Sequence, residues 1–435
     1  MKSRREFLRT STAASVAFLA GCRNGAVDDL DAILQVRGED PVETASDEDF
    51  WREVRGAFDL HPGLINLNHG ASSSPREVQS ALKSELDSVN QAPLLEMRDW
   101  PAEGRREEAR RIAAEALGCD SEELAITRSA TESLQIAQLG IPLAPGDEVL
   151  STREDYWSMW NTWQQRVERE GIVYREIDLG APYPPTEEIV HRFEQAITPR
   201  TRVILFCQLA WVTGHILPVR EVCSMARSRG IQTIVDGAHG FGQIPFRVDD
   251  LGCDYYGTSG HKWLSAPLGT GLLYVRRERI GDLWPLTPAW EERYGDDIRK
   301  FEFVGTRSPA HHNAIAVAVR FLERLGVEHK AERLHFLKTR WAERLDRSER
   351  VHLVTDLAAG RSCGIASFHI EGIDSNTLAD HLLDRHDILV ATPGDAYSGP
   401  SPIRVTPNVF TSVQEVDAFA DVIEEILRTG LPADS

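Results

Sequence analysis

The sequence predicts an α/β fold, with a large domain built on a mostly parallel sheet and a smaller α+β domain after it. First, the chain has 435 residues, which is longer than one hydrophobic core usually serves. Second, 42% hydrophobic and 26% charged residues are typical of a globular protein. Third, short apolar runs alternate with amphipathic stretches between residues 124 and 275. Such alternation requires crossover connections and parallel strands covered on both faces.

The elements of the large domain follow from these patterns. Helical spacing predicts helices over 77–89 and 105–117, the second with Gly118 as its C-cap. The predicted strands are 124–127, 148–152, 202–207, 231–236, 255–259 and 271–275. Ligands bind at the carboxyl ends of strands in such sheets, and Asp236 and Ser259 stand at two of these ends.

The C-terminal part of the chain predicts a smaller unit. A long helical stretch after residues 305–326 leads to strands at 363–370 and 403–406 and to helices at 376–386 and 413–427. We therefore expect a large domain with an N-terminal arm over 51–310 and a small α+β domain over 311–435.

Charge and cysteine content exclude two classes of function. A formal net charge of −19 argues against nucleic-acid binding, which needs a basic surface. The six cysteines form no CxxC pair and no Cys/His cluster at zinc spacing, so no metal site is predicted. Cys207 and Cys363 lie in apolar runs, where buried, inert thiols are expected.

The N-terminus carries an export pattern. Paired arginines in "SRREFLR" precede the short apolar stretch "TSTAASVAFLAG", which predicts a twin-arginine signal peptide over residues 1–21. The stretch ends in "LAGC", similar to a bacterial lipobox with Cys22 as the lipid-bearing residue. We expect a periplasmic or cell-surface protein, held at the membrane only through Cys22, with an acidic tether over 22–50.

One lysine stands in a context that suggests chemistry. Lys262 closes "YYGTSGHK", which follows "IVDGAHG" at 234–240. A lone lysine is usually a solvated surface charge. If it binds pyridoxal phosphate, however, other residues must hold the cofactor at its ring nitrogen, its phenolic oxygen and its phosphate. Asp236, at the end of a buried strand, can keep the ring nitrogen protonated. His239 can reach the phenolic oxygen, although a packing histidine gives the same spacing.

A phosphate group would need donors at a helix start, where the helix dipole favours an anion. "TRSATESLQIAQLG" at 127–140 offers a strand end, capping hydroxyls at Ser129 and Thr131, and then a helix. Taken alone, this is simply a well-capped helix. Ser259 and His261 add two further donors beside Lys262.

Together these segments resemble the class V aminotransferase family of fold-type I pyridoxal-phosphate enzymes. The resemblance rests on "DGAHG", "DYYGTSGHKW", "TRSATESL", "FVGTRSPA" and "IRVTPNVFTSVQEVDAF", and it covers roughly residues 60–430. "LNHGASSSPREV" at 67–78 is most similar to the isopenicillin N epimerase-like branch. The resemblance implies a seven-stranded large-domain sheet and a pyridoxal 5'-phosphate cofactor.

The resemblance also implies roles for individual residues. Lys262 is the Schiff-base lysine, Asp236 the partner of the ring nitrogen and His239 a neighbour of the phenolic oxygen. Phosphate contacts are implied for a set of residues on two segments: Ala130, Thr131, Ser259 and His261. Thr306 of "GTRS" is implied to reach the phosphate of a neighbouring subunit, which predicts a homodimer with a shared active site.

On the substrate side, the resemblance places Tyr156 over the cofactor ring, although a core tyrosine would look the same from sequence. Arg404 corresponds to the clamp on the substrate α-carboxylate, a role that suits its planar fork. Asn68 and His69 are implied to line the same side.

Two departures from the family pattern bear on the reaction. The segment 391–402 holds no cysteine, which disfavours persulfide chemistry. Trp211 stands where many relatives have a polar residue, so a contact to the phenolic oxygen is either missing or replaced by Gln208.

The sequence therefore favours an amino-acid enzyme in which Lys262 removes the α-proton, of the epimerase or aminotransferase type, with Tyr156 or His69 as a second acid/base. A C–S lyase or desulfurase-like enzyme is the alternative. A catalytically silent, exported binding lipoprotein is the alternative outside enzymes. A serine hydrolase using Ser259 is disfavoured because "GTSGH" lacks the GxSxG elbow.

Overall fold

The computed structural model describes residues 40–96, 104–180, 183–288, 295–358, 360–394 and 401–431. The predicted signal peptide, Cys22 and most of the predicted tether lie outside the described residues. Part of the cysteine-free segment, residues 395–400, does so as well.

The strands fall into one large and two small sheets. In chain order they are β1 (Ile65–Asn66), β2 (Leu124–Thr127), β3 (Glu148–Thr152), β4 (Val173–Ile177), β5 (Thr201–Cys207), β6 (Gln232–Asp236), β7 (Tyr255–Ser259), β8 (Gly271–Val275), β9 (Val351–Leu353), β10 (Ala366–Ile370), β11 (Ile388–Leu389) and β12 (Ile403–Val405).

The α-helices connect and cover these strands. They are α1 (Pro41–Thr44), α2 (Glu48–Arg55), α3 (Arg76–Gln91), α4 (Pro93–Glu96), α5 (Arg105–Leu117), α6 (Ala130–Gly140), α7 (Trp157–Glu170), α8 (Thr186–Ala196), α9 (Val219–Arg227), α10 (Val248–Leu251), α11 (Arg277–Ile280), α12 (Ala310–Leu325), α13 (Val327–Leu345), α14 (Ser375–His386) and α15 (Val413–Thr429).

The large sheet has seven strands in the order β2-β8-β7-β6-β5-β3-β4. All neighbours pair in parallel except β8, which runs antiparallel to both β2 and β7. Along β5, Ile204 and Phe206 pack into one apolar cluster and Val203 and Leu205 into another. Because alternate side chains of a strand point to opposite faces, the sheet is covered on both sides. The predicted α/β class is confirmed.

The small domain is built on an antiparallel sheet in the order β12-β10-β9. Its core centres on Trp341 of α13, whose ring lies 5.6 Å from those of Phe368 and Phe419. The N-terminal arm reaches this domain, because β1 pairs in parallel with β11 and Leu67 is buried in the same core. The chain thus passes from the small domain to the edge of the large one before β2 begins.

Helix ends follow the capping residues of the sequence. α5 ends at Gly118 in the left-handed region (φ 84°), and a Cβ there would lie 2.7 Å from the Cβ of Arg247. Glycine is therefore required by both conformation and space. α15 begins with a capping box in which Ser412 and Glu415 satisfy each other's backbone N–H groups.

The structure differs from the sequence prediction in two places along the large domain. β4 was not predicted because it is an edge strand whose residues are mostly half-buried, so charged Arg175 and Glu176 interrupt its apolar pattern. α12 buries Ile315 and Val319 in a large-domain cluster, whereas the predicted boundary at 310 assigned this helix to the small domain.

The described end of the predicted tether is folded. Residues 41–44 form α1, and the Trp51 indole donates a hydrogen bond of 2.8 Å to the carbonyl of Thr44. Arg333 of α13 donates to the carbonyl of Ala45 at 2.9 Å. The body therefore includes the chain from about residue 40 rather than from Phe50. Within the described residues, no helix has the length and apolar character needed to cross a bilayer.

Candidate active site

Two neighbouring strands carry the chemical groups to one edge of the large sheet. Asp236 is the last residue of β6 and stands opposite Gly257 of β7. Ser259 ends β7, and the turn that follows carries Lys262. Because β6 and β7 are parallel, both sets of side chains emerge at the carboxyl edge, as the sequence predicted.

Lys262 lies close to one imidazole and is half-buried. Its Nζ is 3.1 Å from Nε2 of His239. Burial lowers the pKa of Lys262 to about 8; the negative charge of Asp236 opposes this shift and the positive charge of Arg404 adds to it. At pH 7 about one tenth of this amine is therefore unprotonated, far more than for an ordinary lysine.

Asp236 is 7% exposed, and its Oδ1 accepts a 2.9 Å hydrogen bond from the N–H of Ala238. Burial raises the pKa of Asp236, while Lys262 and the Ala238 N–H act in the opposite direction. A buried carboxylate of this kind gains strongly from a cationic partner, because little solvent screens the pair.

A second group of residues meets at the start of α6. The N–H of Ala130 donates to Ser259 Oγ at 2.9 Å, which joins this helix to the end of β7. Thr131 lies in the first turn of α6 and is half-buried. A Cβ on Gly271 would lie 2.6 Å from backbone atoms of Ser129, so glycine permits this close approach. The structure thus brings Ala130, Thr131 and Ser259 together.

His261 adjoins the same group. Its Nδ1 is 3.0 Å from the carbonyl of Thr270, so Nδ1 carries the proton and Nε2 is left for other contacts. Burial and Lys262 lower the pKa of His261, while the Thr270 carbonyl raises it. Nε2 can donate to a phosphate only when the ring is protonated, which a bound phosphate dianion would favour.

Arg404 of β12 forms the opposite wall. Its Nη1 donates to the carbonyl of Trp211 at 3.2 Å and its Nη2 to Oδ1 of Asn68 at 3.1 Å. The guanidinium lies 5.6 Å from the centroid of the Trp211 ring, which meets Tyr156 edge-on at 5.6 Å. Arg404 is 8% exposed, and no carboxylate in the described parts of the chain pairs with it. Burial lowers its pKa to about 10.

Two predicted site residues have no described side-chain hydrogen bond to this group. The His69 ring is 2% exposed and packs edge-on against Phe410 at 4.9 Å. Burial lowers the pKa of His69 to about 4. Thr306 is exposed in a bend before α12. The roles assigned to His69 and Thr306 stay predictions.

Some residues that shape the site were not identified from the sequence. The Trp263 indole donates to Nδ1 of His239 at 3.0 Å, and Nζ of buried Lys330 donates to the carbonyl of Trp263. Trp263 stood in the quoted motif, but no spacing rule joins it to His239. Gln208 was considered for the phenolic oxygen; its Oε1 accepts from Tyr256 at 2.7 Å, so that oxygen already has a donor.

The described residues fit pyridoxal phosphate. The group needs an amine, a buried carboxylate for its ring nitrogen, and donors for its phosphate. Lys262, Asp236 and the start of α6 supply these at one edge of the sheet. Trp211 adds a buried indole N–H that has no partner in the described structure. No metal-ligand cluster of His, Cys, Asp or Glu side chains was found among the described residues.

Comparisons with known proteins agree with this geometry. The family model described as "Aminotransferase class-V" matches residues 64–419. Isopenicillin N epimerase of Streptomyces clavuligerus is 30% identical over 397 residues, which cover 86% of this chain and 98% of the relative. A probable cysteine desulfurase of Aeropyrum pernix is 27% identical, covering 87% and 98% of the two chains.

Solved structures show the same fold. The apo cysteine desulfurase of Thermococcus onnurineus NA1 superposes with a TM-score of 0.75 at 24% identity, covering 87% of this chain and 98% of that one. A C-DES mutant with glycine covalently linked to its pyridoxal-phosphate cofactor superposes with a TM-score of 0.74 at 20% identity, covering 85% and 98% of the two chains. The prediction of a fold-type I, pyridoxal-phosphate-dependent architecture is confirmed. The chain therefore belongs to the class-V aminotransferase family.

Proposed function

We propose that the protein is a pyridoxal-phosphate-dependent enzyme that removes the α-proton of an amino acid, of the epimerase or aminotransferase type. The observation that carries the proposal is the meeting of a low-pKa amine at Lys262, a buried carboxylate at Asp236 and an arginine at 404 without a carboxylate partner among the described residues. The isopenicillin N epimerase relatives at 30% identity support the epimerase type.

Arg404 binds the substrate α-carboxylate. Its two Nη atoms are held by the Trp211 carbonyl and Asn68, and a planar guanidinium fixed in this way suits a carboxylate. The same contacts limit its freedom before substrate arrives, so little conformational entropy is lost on binding. The carboxylate also supplies the negative charge that this buried cation lacks.

Lys262 acts as the base that takes the α-proton at Nζ. When bound, pyridoxal phosphate supplies an electron sink that makes this proton acidic, and Asp236 holds the proton on its ring nitrogen. Since the pKa of Lys262 is about 8, the amine both accepts and releases a proton near neutral pH. Tyr156, at the wall formed with Trp211, is the proposed acid on the opposite face for inversion.

The experiment is solvent-proton exchange with the holoenzyme. A panel of L- and D-amino acids is incubated in deuterated water, and α-deuterium, the opposite enantiomer and the keto acid are measured with and without an added α-keto acid. We expect α-deuteration in the parent and a fall of at least about 10³-fold in Lys262→Ala, since the base is lost. Absence of exchange and of turnover for every amino acid would refute the proposal.

C–S bond cleavage is the second candidate. It is supported by the cysteine desulfurase relatives at 27% and 25% identity. The described cysteines other than Cys119 are buried, and burial raises the pKa of Cys207 and Cys253 well above that of a free thiol, so neither offers a thiolate for persulfide formation. Release of sulfide from cysteine, or of cysteine persulfide from cystine, in each case together with a keto acid and ammonia, would favour a lyase.

We also propose a homodimer with a shared active site. Thr306 is exposed in the single chain, as expected of a residue that contacts a partner subunit. The large domain also exposes bulky apolar side chains, namely Trp157, Trp160, Leu268, Trp284 and Leu286. These side chains are the candidates for the dimer interface, which a contiguous apolar patch would mark.

Export by the twin-arginine route is proposed on the sequence of residues 1–22 alone. This route carries folded proteins, so the cofactor can bind before transport. Cell fractionation of the full chain is expected to place it in the periplasmic or membrane fraction, and Cys22→Ser to release it from membranes. A cytoplasmic location of the full chain would contradict the proposal.

A further inference from the structure

A tryptophan beside the active-site lysine fixes the protonation of its neighbouring histidine. The Trp263 indole nitrogen lies 3.0 Å from His239 Nδ1. An indole N–H is a donor only, so His239 Nδ1 must be the acceptor and carry no proton. Trp263 is fully buried and His239 is 5% exposed, so water does not compete for this bond.

The remaining ring nitrogen then determines the state of Lys262. Burial, Lys262 and Arg404 lower the pKa of His239 well below that of a free imidazole, so the ring is neutral and its one proton is on Nε2. Nε2 is 3.1 Å from Nζ of Lys262. If Lys262 were an ammonium, two hydrogen-bond donors, Nζ–H and the Nε2–H of His239, would face each other. A free amine at Nζ instead accepts a hydrogen bond from Nε2–H.

Both residues of the pair are also held through their backbone. The Trp263 carbonyl accepts from Nζ of buried Lys330, which lies on α13. The His239 carbonyl accepts from Gln243 Nε2 at 2.7 Å, and Gln243 Oε1 accepts from the N–H of Gly364 at 2.9 Å. The indole and the imidazole therefore have little freedom to separate.

We propose that Trp263 is a positioning residue that locks His239 as the Nε2–H tautomer and thereby favours the free amine of Lys262 over the ammonium. This inference rests on the proposed function for the role of Lys262 in cofactor binding. The other charged or titratable groups that influence Lys262 are Asp236, Arg404 and His261. The same tautomer presents an N–H donor for the phenolic oxygen of the cofactor.

The test removes the indole N–H and keeps an aromatic side chain, with Trp263→Phe. The face of a phenyl ring at position 263 interacts better with an N–H at His239 Nδ1 than with a lone pair there. The proton of His239 is therefore expected to move to Nδ1. Nε2 can then accept a hydrogen bond from a Lys262 ammonium. One gained charge-assisted hydrogen bond raises the pKa of Lys262 by about one unit. Trp341→Phe is the matched control, because Trp341 is fully buried and its indole nitrogen has no described partner.

Two measurements are made on the cofactor-free full chain. Histidine ¹⁵N spectra, assigned with His239→Gln, report the tautomer. The pH midpoint of Lys262 acylation, read by peptide mass spectrometry, reports its pKa. We expect Nε2–H in the parent and in Trp341→Phe, and an upward shift of the midpoint by about one pH unit in Trp263→Phe alone.

An Nδ1–H tautomer in the parent overturns the proposal even if Trp263→Phe does not fold. An unchanged midpoint in a folded Trp263→Phe overturns it as well. Failure of the proposed function has a different signature, because the parent would then fail to condense pyridoxal phosphate with Lys262 at any pH while the tautomer result stands.

Discussion

At the scale of single residues, the site depends on charges that are buried before any ligand binds. Arg404 is almost enclosed, yet its described partners are neutral oxygens. A buried cation without a counter-ion is costly unless a ligand supplies one. Lys262 reduces the desolvation cost of burial in another way, because its lowered pKa allows it to lose its positive charge. Arg404 remains the fixed positive charge of the site.

Replacement of Arg404 by Gln is expected to raise KM for α-amino acids and to lower kcat/KM by about 10²–10³-fold, since truncating one partner of a buried charged hydrogen bond costs about 2–5 kcal/mol. Arg404→Lys keeps the charge but loses the fork, so we expect an intermediate loss. Steady-state kinetics with amino acids and with the corresponding amines separates carboxylate binding from general damage. Arg52→Gln, at an exposed ion pair, is the control. Equal losses for acids and amines would contradict the assignment.

At the scale of elements, a buried ion cluster fixes the strand that leads into α6, the helix at which phosphate binding is predicted. Glu302 has a fully buried side chain, bonds to Arg106 and Arg110 of α5, and accepts the N–H of Ile126 in β2 at 2.7 Å. β2 ends just before α6 begins. The start of α6 is therefore positioned by a carboxylate that is distant in sequence from the motif it supports.

Glu302→Gln is expected to lower the free energy of unfolding by about 3–5 kcal/mol at pH 7, because it leaves buried arginines without their carboxylate. Burial raises the pKa of Glu302, but Arg110 and Arg106 hold it well below its usual range. The pKa of this carboxyl in the unfolded chain is about 4.3. The parent's larger free energy of unfolding is therefore fully present above this pH and is progressively lost as the pH falls below it.

Urea unfolding of both proteins from pH 7 to pH 3 measures this difference. Glu176→Gln removes an exposed ion pair with Arg153, which solvent screens, and is expected to leave the free energy of unfolding nearly unchanged. If the difference in free energy of unfolding between the parent and Glu302→Gln did not change with pH, the carboxylate charge would contribute nothing to stability.

At the scale of the whole molecule, the large domain exposes bulky apolar side chains to solvent. Trp284 is 71% exposed and Leu286 is 43% exposed. Under the proposed homodimer, Thr306 completes a phosphate site in the partner subunit. Association and cofactor affinity are then coupled, because each subunit lacks one contact when alone.

Trp284→Glu is expected to shift sedimentation from dimer toward monomer and to weaken pyridoxal-phosphate affinity, since a charge placed in an apolar interface is poorly solvated. Leu383→Glu makes the same change at an exposed apolar residue of α14 and is expected to leave both properties unchanged. If Trp284→Glu sediments as the parent does, this surface is not the interface.

The fold could be predicted from the sequence where local pattern and burial agree. β2, β3, β7 and β8 begin and end where the apolar runs predicted, because each strand is buried on both faces. β4 was missed because half of an edge strand's pattern is polar. The pairing of β1 with β11 joins segments over 300 residues apart, which no local rule detects.

In the site, too, local sequence patterns predict some residues, while others depend on contacts between distant segments. Asp236 and Lys262 are predicted from strand ends and a motif, and the structure places both at the carboxyl edge of the large sheet. Three contacts arise from side-chain directions in the folded chain: the hydrogen bond between Trp263 and His239, the packing of Trp211 on Arg404, and the hydrogen bond from Lys330 to the Trp263 carbonyl. Their residue types were visible, but their contacts depend on how the turn after β7 meets α13.

The turn that carries Lys262 is closed by segments from both ends of the chain. Ser265 takes a left-handed conformation (φ 59°), and its hydroxyl lies 3.0 Å from that of Ser72, which in turn accepts from Asn408. During synthesis this junction cannot form until residue 408 has left the ribosome. If Lys262 binds the cofactor as proposed, we expect this binding only after translation is nearly complete, when the turn is fully ordered.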